Sequence, residues 1–370
     1  MNRLRLICCI VLMATGSSVS AESMDTRLQE FSEFLQEFRV EKTMPSLSVA
    51  VVKNDEIILN AAIGWQDHDA EEPTTTETSY LVASISKTFT AATLLAMEAD
   101  GHIDLDDPFT TLSDWDRRCS WLTGSGIIFG GGTLDDGTVV EPPRCDTPFS
   151  LRQVLQHRVQ GEPGSTFLYN PIVFGRLSNW IEENTDRSWR DWMNQYVLEP
   201  GELTTVAAGW RDPDKSVALL HLAPPFRYAP EDNDGIAPSV LPNPELNASS
   251  GIIASVTGLA EYAIALQEGK ILSPSLREKM WAPPTLADGS KAAYANGWWV
   301  QDWQGHRLVW HGGWWPDAYA GLLLIAPDDG LALIALGNTD GLHWGNPLHK
   351  SEVEKSPVVA KFLSLFLEGN

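Results

Sequence analysis

The chain has 370 residues, of which 43% are hydrophobic and 20% are charged, which is enough apolar material for a full globular core. Its 49 acidic residues outnumber 26 basic ones, and this excess of negative charge argues against binding to nucleic acid or to an anionic membrane. No long acidic block occurs, so we interpret the charge as a property of the solvated surface.

The first 21 residues have the pattern of a secretory signal peptide. Arg3 and Arg5 supply its positive end, residues 6–14 its apolar run, and residues 19–21 a small-residue cleavage site. The alternative is a retained membrane anchor, although this run is short for one and no later stretch reaches about 18 apolar residues. We therefore expect an exported protein, periplasmic or secreted, with no stable membrane anchor.

A helix and a β-hairpin are the first regular elements that the pattern predicts. Apolar residues recur at helical spacing from Leu28 to Phe38, and Pro45 then ends that pattern. Alternation predicts a strand over Ser46–Lys53, and the turn residues Asn54-Asp55 lead into a second strand over Glu56–Gly64.

The next predicted helix, which runs through Met97, carries a Ser-x-x-Lys pair. Ser84 and Lys87 are three residues apart, so the hydroxyl and the amine can meet on one face of the helix. An apolar setting would lower the pKa of the lysine until it accepts the hydroxyl proton, and the helix start would favour negative charge developing at Ser84. The alternative is a capping serine followed by an exposed lysine, because so short a pattern also arises by chance.

Residues 115–148 are predicted to be irregular and rich in glycine. Cys119 and Cys145 both lie in this segment, and in an exported protein such a pair suggests a disulfide, with two free thiols as the alternative. No Cys-x-x-Cys or His-x-x-x-His spacing accompanies them, so we expect no metal site. The segment is either a rim or lid of a functional site or a tolerated insertion.

The remaining elements are helical in the middle of the chain and extended near its end. Helices are predicted over residues 151–157, 174–181, 189–197, 259–266, 274–281 and 357–367, strands over residues 297–300, 307–311, 321–326 and 331–338, and a loop-like seam over residues 201–244. This order indicates an α+β fold, an α/β/α sandwich whose antiparallel sheet is built from both chain ends and flanked by helices. We expect one domain over residues 22–370, with an α/β lobe at about 25–80 and 245–370 and an inserted, mainly helical lobe at about 81–244.

Three motifs follow one another along the chain: Ser84-Ile85-Ser86-Lys87, then Tyr169-Asn170, then His311-Gly312-Gly313. In this order they resemble the serine β-lactamase and penicillin-binding-protein superfamily, in particular its AmpC-like class C branch with related esterases and D-amino-acid peptidases. The resemblance covers roughly residues 28–338. It includes sequences that flank the motifs, at residues 105–108, 163–164, 251–255 and 325–331.

The resemblance implies a role for each motif. Ser84 would be the acylated nucleophile, Lys87 its proton acceptor and Tyr169 the second acid/base group, assisted by a cationic field from Lys87 and His311. The N–H groups of Ser84 and Trp314 would form the oxyanion hole. The residues implied to contact substrate are His311, Gly312, Gly313, Asn170 and Trp315. Taken alone, a tyrosine such as Tyr169 is more often a packed side chain, and a histidine such as His311 is more often only hydrogen-bonded.

Pro171 departs from the pattern of the family, which usually reads Tyr-x-Asn and uses that asparagine to hold a substrate amide. Here Asn170 stands one place early and proline offers no donor, so recognition of a β-lactam or a peptide amide is in doubt. Trp344 is a further candidate for an aromatic pocket wall. His157 matches a family histidine at a helix end, for which we favour a structural role.

We therefore expect an exported serine hydrolase that cleaves a small ester or amide with an apolar acyl or leaving group. It would work through an acyl-enzyme, without a metal or organic cofactor, and an esterase or a D-amino-acid-type peptidase is favoured over an efficient β-lactamase. The alternatives are β-lactamase or D-Ala-type carboxypeptidase activity, and a catalytically silent binding protein of the same fold. The sequence sets no expectation for the oligomeric state.

Overall fold

A computed structural model describes residues 23–212, 216–232, 234–242 and 245–368. The predicted signal peptide, residues 1–21, lies outside these ranges. Within them, no helix is both long and apolar enough to cross a membrane.

Helices and strands alternate in blocks along the described chain. The α-helices are α1 (Met24–Glu41), α2 (Ser86–Ala99), α3 (Trp115–Gly124), α4 (Leu151–Leu155), α5 (Pro171–Gly175), α6 (Leu177–Asn184), α7 (Trp189–Met193), α8 (Ser216–Leu220), α9 (Val256–Glu268), α10 (Pro274–Trp281) and α11 (Pro357–Phe366). The strands are β1 (Ser46–Lys53), β2 (Glu56–Asp67), β3 (Glu72–Pro73), β4 (Ser79–Leu81), β5 (Gly132–Thr133), β6 (Val139–Val140), β7 (Val206–Ala207), β8 (Phe226–Tyr228), β9 (Ile236–Pro238), β10 (Ile253–Ser255), β11 (Trp299–Trp303), β12 (His306–Trp315), β13 (Tyr319–Ala326) and β14 (Leu331–Gly337).

The main sheet joins the two ends of the chain. Its seven antiparallel strands follow the order β11-β12-β13-β14-β1-β2-β3, and β1 pairs with β14 from Leu47 opposite Gly337 to Lys53 opposite Leu331. Every residue of β13 and β14 is buried, because helices cover both faces of the sheet. The predicted sheet from both chain ends is therefore confirmed.

Helices from the chain ends cover one face of this sheet, and the central helices cover the other. On the first face the aromatic rings of α1 and α11 pack together, with Phe31 and Phe366 in edge-to-face contact at 5.9 Å. On the second face α2 and α9 pack against the sheet, and Phe89 stacks on Tyr262 at 4.0 Å. The α/β/α sandwich is confirmed.

Helix α2 is buried along almost its whole length. Its sequence is dominated by alanine, threonine and leucine. In a buried helix, a threonine hydroxyl can donate a hydrogen bond to a backbone carbonyl of the preceding turn. Thr88 donates to the Ile85 carbonyl and Thr93 to the Phe89 carbonyl, at 2.8 and 2.9 Å. A helix that buries no unpaired hydroxyl can pass through the core, and it gives the residues at its start a rigid support.

The prediction of an irregular segment over residues 115–148 is wrong at its beginning. The first ten residues form α3, with Trp115, Cys119 and Leu122 on its buried side, and a short β5–β6 hairpin follows. The spacing of these three residues is helical, but the sequence that follows them is rich in glycine, and for that reason a loop was predicted for the whole segment. The predicted disulfide between Cys119 and Cys145 is present, with a Cα–Cα distance of 5.6 Å.

The predicted loop-like seam at residues 201–244 also contains regular structure in its described parts. Strand β7 joins β4 and β10 in a small sheet, and β8 pairs with β9. These elements are two or three residues long, which is too short to produce a clear alternation of apolar residues. The division of the chain into two lobes stays a prediction.

Candidate active site

Ser84 lies where the small sheet gives way to α2. Strand β4 ends at Leu81, and a single 3-10 turn over Ala83–Ile85 leads directly into the helix. Ala83 has a φ of 46°, a left-handed conformation that costs energy for a residue with a side chain. This turn places the Ser84 hydroxyl at the surface of a cavity and the amine of Lys87 one turn further into the core.

Lys87 is completely buried and directly contacts Ser84. Its Nζ lies 2.9 Å from Ser84 Oγ and donates a hydrogen bond of 3.0 Å to the carbonyl of Ser249. Burial lowers the pKa of Lys87 well below its ordinary value, and no carboxylate of the described residues forms an ion pair with it. A neutral amine in this position can accept the Ser84 proton.

The carbonyl that orients Lys87 belongs to a loop just before β10. The Asn247 side-chain oxygen accepts from the N–H of Ser249 at 2.8 Å and from its hydroxyl at 2.9 Å, which fixes the turn. Thr90, one turn after Lys87, donates to the neighbouring Ala248 carbonyl at 2.7 Å. Two consecutive carbonyls therefore bind α2, and the sequence carries no motif that marks Ser249 for this task.

Tyr169 approaches Ser84 from the residue before the cap of α5. Its backbone N–H donates to the Leu348 carbonyl at 2.8 Å, and its side chain interacts with that of Ser84. The ring centroid lies 5.0 Å from Lys87 Nζ. Burial raises the pKa of Tyr169 above its ordinary value despite the interaction with Ser84, so the phenol keeps its proton at neutral pH and is a proton donor.

His311 does not supply the cationic field that we expected for Tyr169. Its Nδ1 lies 2.7 Å from the Gly312 carbonyl, and its Nε2 lies 3.0 Å from the hydroxyl of Tyr294. Burial lowers the pKa of His311 to about 3, with a further contribution from Lys87, so the ring is neutral. A neutral ring satisfies both contacts by donating from Nδ1 and accepting at Nε2. No pattern in the sequence identified Tyr294 as its partner.

The two glycines after His311 allow β12 to approach the nucleophile closely. A Cβ atom on Gly313 would lie 2.2 Å from the carbonyl oxygen of Val82, two residues before Ser84, and one on Gly312 would contact the Trp344 ring at 3.4 Å. Among the described strands, β11 pairs only with residues 306–310 of β12. The edge from His311 onwards is therefore available to a substrate.

A cavity of about 390 Å³ lies over these groups, and Ser84, Tyr169 and Trp314 all border it. Six of its fourteen lining residues are aromatic: Phe129, Tyr169, Trp299, Trp310, Trp314 and Trp344. Tyr169 stacks on Trp299 at 5.5 Å, and Trp299 stacks on Trp310 at 5.3 Å. The predicted place of Trp344 in the pocket wall agrees with this lining. The N–H groups assigned to the oxyanion hole, those of Ser84 and Trp314, belong to residues of the same cavity.

Two residues predicted to contact substrate do not border this cavity. Asn170 is fully buried; its side-chain oxygen accepts from the N–H groups of Ile172 and Val173, and its amide donates to Gln160. It is the N-cap of α5, and Asn followed by Pro at the first helical position is a signal that the sequence did contain. Trp315 packs against the core around α2. Pro171 does line the cavity.

The ring of His157 contacts the ring of Tyr169. Its Nδ1 accepts a hydrogen bond of 3.0 Å from the N–H of Asn170, and its ring centroid lies 4.5 Å from that of Tyr169. Burial is the main cause that lowers the pKa of His157 well below its ordinary value. A buried neutral ring between backbone and phenol fits the structural role that we favoured.

The disulfide-closed segment supplies one wall of the cavity. Phe129 borders it, and the Gln160 amide donates to the carbonyls of Phe129 and Glu141, at 3.2 and 2.8 Å. The Gln160 side-chain oxygen accepts from Asn170 at 2.9 Å. One glutamine therefore ties the segment to the start of α5, and sequence analysis identified neither Phe129 nor Gln160.

A larger concavity of about 970 Å³ lies beside the first one, beyond the segment that includes Leu348 and Ser351. Its wall mixes apolar residues with polar and charged ones, and ion pairs such as Arg144–Glu162 and Lys350–Asp136 lie along it. It contains none of the three catalytic candidates, so the smaller aromatic cavity is the candidate active site.

Comparisons with known proteins agree with this geometry. The family model described as Beta-lactamase matches residues 29–353. A D-aminopeptidase from Brucella ovis is 27% identical over 279 residues, which cover 73% of this chain and 52% of that protein. This chain spans 52–60% of the length of such curated relatives.

Solved structures share the fold at low sequence identity. The octameric penicillin-binding protein homologue from Pyrococcus abyssi is similar with a TM-score of 0.69 and 20% identity, over 93% of this chain and 78% of that one. A D-amino acid amidase from Ochrobactrum anthropi SV3 gives a TM-score of 0.68 and 16% identity, over 93% and 99% of the two chains.

Proposed function

This chain belongs to the beta-lactamase family, and we propose that it is a serine hydrolase that cleaves a small ester or amide through an acyl-enzyme on Ser84. The observation that carries this proposal is the 2.9 Å contact between Ser84 Oγ and the Nζ of Lys87, whose pKa burial lowers. A serine beside a neutral, fully buried amine is an activated nucleophile. The names of its relatives, a D-aminopeptidase and a D-amino acid amidase, support hydrolysis of this type.

Acylation begins with the neutral amine of Lys87. It takes the hydroxyl proton of Ser84 while Oγ bonds to the substrate carbonyl carbon, and the electron pair of the C=O bond moves onto oxygen. We assign the N–H groups of Ser84 and Trp314 to this oxyanion, where two fixed donors stabilise the developing charge. The bond to the leaving group then breaks, and the leaving group takes its proton from the Tyr169 phenol.

Proton transfer between the two neighbours restores the site. The Tyr169 phenolate takes the proton held by Lys87, whose Nζ lies 5.0 Å from the centre of the tyrosine ring, through a water molecule. In deacylation, water attacks the acyl carbonyl and gives its proton to the same pair of groups while Ser84 Oγ regains a proton. Each cycle consumes one water molecule and releases an acid and an alcohol or amine.

Among substrates, we favour an ester or amide that is not a β-lactam or a D-Ala peptide. Pro171 has no N–H or side-chain donor for a substrate amide, and Asn170 uses its side chain within the protein. His311 is neutral and both of its nitrogens have protein partners. β-Lactamase or D-Ala-type carboxypeptidase activity is the second candidate, because the nucleophile and both acid/base groups are present.

We also infer that the protein is exported to the periplasm or secreted. The Cys119–Cys145 disulfide supports an oxidising compartment, and the predicted cleavage site follows Ala21. The intact mass of protein purified after expression of the full chain in Escherichia coli tests this inference: a chain that retains residues 1–21 would refute it.

A fluorophosphonate probe and intact-mass spectrometry test the hydrolase. We expect one adduct on the wild type, none on Ser84→Ala, and an unchanged adduct on the control Ser165→Ala, whose residue borders the larger concavity. Hydrolysis of short-chain p-nitrophenyl esters should be lost with Ser84→Ala. Equal rates for wild type and Ser84→Ala would leave a catalytically silent binding protein as the better description.

A further inference from the structure

We propose that the aromatic cavity over Ser84 selects uncharged substrates and rejects those that present a carboxylate or an ammonium group to it. This inference rests on the proposed hydrolase function and adds the chemical class that the site accepts. It follows from what the cavity wall contains, from the partners of its two histidines and from the arrangement of its rings.

Charged side chains are absent from the described residues of the cavity wall. The lining comprises six aromatic residues together with Ser84, Pro171, His311, Gly312, Gly313, His343, Asn346 and Leu348. A carboxylate or ammonium group that leaves water needs a partner of opposite charge, and an unpaired one costs several kcal/mol. An apolar acyl group, by contrast, gains free energy from the area it buries.

His311 cannot act as a cation towards a carboxylate. Its two ring nitrogens are used by Tyr294 and by the Gly312 carbonyl, and only 1% of the residue is exposed. Protonation would place a hydrogen on Nε2, which now accepts from the Tyr294 hydroxyl, so that this hydrogen bond would have to reverse. The low pKa of His311 agrees with this arrangement.

His343 lies at the mouth of the cavity, where its ring packs against the ring of Trp314. The two rings stack face to face, with centroids 4.1 Å apart and planes 5° apart, and Trp314 is 44% exposed. Partial burial lowers the pKa of His343, although the Asp340 carboxylate raises it. The mouth therefore presents a flat, neutral surface at pH 7.

The rings of the wall do not form a cage for an ammonium group. A cation binds to ring faces, whereas here Tyr169, Trp299 and Trp310 stack on one another with interplanar angles of 22° and 11°. Each of these three rings therefore has at least one face covered by a neighbour. Two cations of the larger concavity, Arg144 and Lys350, are paired with Glu162 and Asp136 and so do not serve a carboxylate either.

Three esters that differ in one terminal group test the selectivity: 4-nitrophenyl butyrate, mono-4-nitrophenyl succinate and 4-nitrophenyl β-alaninate. They end in a methyl, a carboxylate and an ammonium group. At pH 7, with each kcat/KM divided by the hydroxide rate of the same ester, we expect the butyrate to exceed both charged esters at least 30-fold. Ser84-dependent rates within threefold of one another would overturn the proposal.

Binding to Ser84→Ala separates this proposal from that of the hydrolase. Tryptophan fluorescence, titrated with butyranilide, succinanilate and β-alanine anilide, reports charge selectivity without turnover. Selective binding of butyranilide together with no Ser84-dependent hydrolysis would support the charge selectivity and refute the enzyme. Equal binding of all three ligands would refute the charge selectivity.

A cation placed at the mouth should reverse the exclusion of carboxylates. In His343→Arg the guanidinium can stack on Trp314 as the imidazole does and adds a permanent charge. We expect the succinate-to-butyrate rate ratio to rise at least fivefold in this variant and to stay unchanged in the matched variant His343→Gln. An unchanged ratio in His343→Arg would show that carboxylates are not excluded for want of a cation, and would overturn the proposal.

Discussion

The Tyr294 hydroxyl lies 3.0 Å from Nε2 of His311, and both residues are buried. The Gly312 carbonyl can only accept, so Nδ1 of His311 carries the proton and Nε2 accepts from the Tyr294 hydroxyl. A residue that no motif identifies thus supplies the donor for one that a motif does identify.

Replacement of that tyrosine should therefore affect the site as well as stability. In Tyr294→Phe the buried Nε2 of His311 has no donor, which we expect to cost about 1–3 kcal/mol of unfolding free energy. The kcat/KM of a neutral ester should fall about tenfold, measured beside a denaturant titration. As a control, Tyr228→Phe changes an exposed tyrosine and should alter neither. Wild-type stability in Tyr294→Phe would contradict the role of the contact.

Lys87 should be essential for catalysis and unfavourable for folding. Lys87→Met removes the proton acceptor, so we expect kcat to fall about 10³-fold, while thermal stability is unchanged or higher because no amine has to be buried. Lys87→Arg should not restore activity, since a guanidinium keeps its proton. Initial rates and thermal melts on the same samples give both values. A Lys87→Met enzyme within tenfold of the wild-type rate would exclude this residue as the base.

The pH profile should show the ionisation of Lys87. As the pH falls through the lowered pKa of this residue, the amine gains a proton, can no longer accept one from Ser84, and kcat/KM declines. His311, with a pKa of about 3, adds no ionisation near neutral pH. Tyr169, with a raised pKa, keeps its proton well into the alkaline range. Rates in buffers from pH 5 to 10 should fit a single ionisation, at a pH below the ordinary pKa of a lysine.

The same ionisation should make stability depend on pH. Between the lowered pKa in the folded protein and 10.5, the ordinary value, the unfolded chain binds more protons at Lys87, so unfolding free energy rises with pH across that window. Below the folded pKa both states are protonated and this dependence ends. Lys87→Met should lack the slope, which denaturant titrations at several pH values would reveal.

A methyl group at Gly313 should disrupt the nucleophile. Its Cβ would lie 2.2 Å from the Val82 carbonyl, so either β12 or the turn that carries Ser84 must shift. We expect Gly313→Ala to destabilise the protein by about 1–3 kcal/mol and to lower kcat/KM more than 100-fold. Gly124→Ala is the matched control, because a Cβ there meets no atom within 4 Å. Full activity of Gly313→Ala would show that this close approach is not needed.

The disulfide should stabilise the wall that Phe129 forms. Reduction of Cys119–Cys145, or the pair of changes Cys119→Ser and Cys145→Ser, should cost about 2–4 kcal/mol of unfolding free energy. It should also raise KM more than it lowers kcat, because Phe129 touches substrate space while Ser84 and Lys87 are supported by α2. Melting curves with and without dithiothreitol, and the two kinetic constants separately, check this. A loss confined to kcat would contradict it.

Local patterns in the chain were sufficient for most of the main elements. The alternation of Ser46–Lys53 coincides with β1, and the apolar spacing of residues 274–281 coincides with α10. Helix α3 and the short strands of the seam were missed. In α3 a glycine-rich neighbour concealed the pattern, and the short strands depend on pairing with distant residues.

The sequence by itself determined that a serine hydroxyl and a lysine amine meet. Ser84 and Lys87 share a helix start, so their contact needs only helical geometry. It could not decide which other side chains reach them. Tyr294 and Ser249 contact the site from loops far along the chain, Asn170 turned inward to cap a helix, and Trp315 packed into the core. Such choices belong to tertiary structure, because a side chain bonds to whichever partner the packing of the whole chain brings within reach and shields from water.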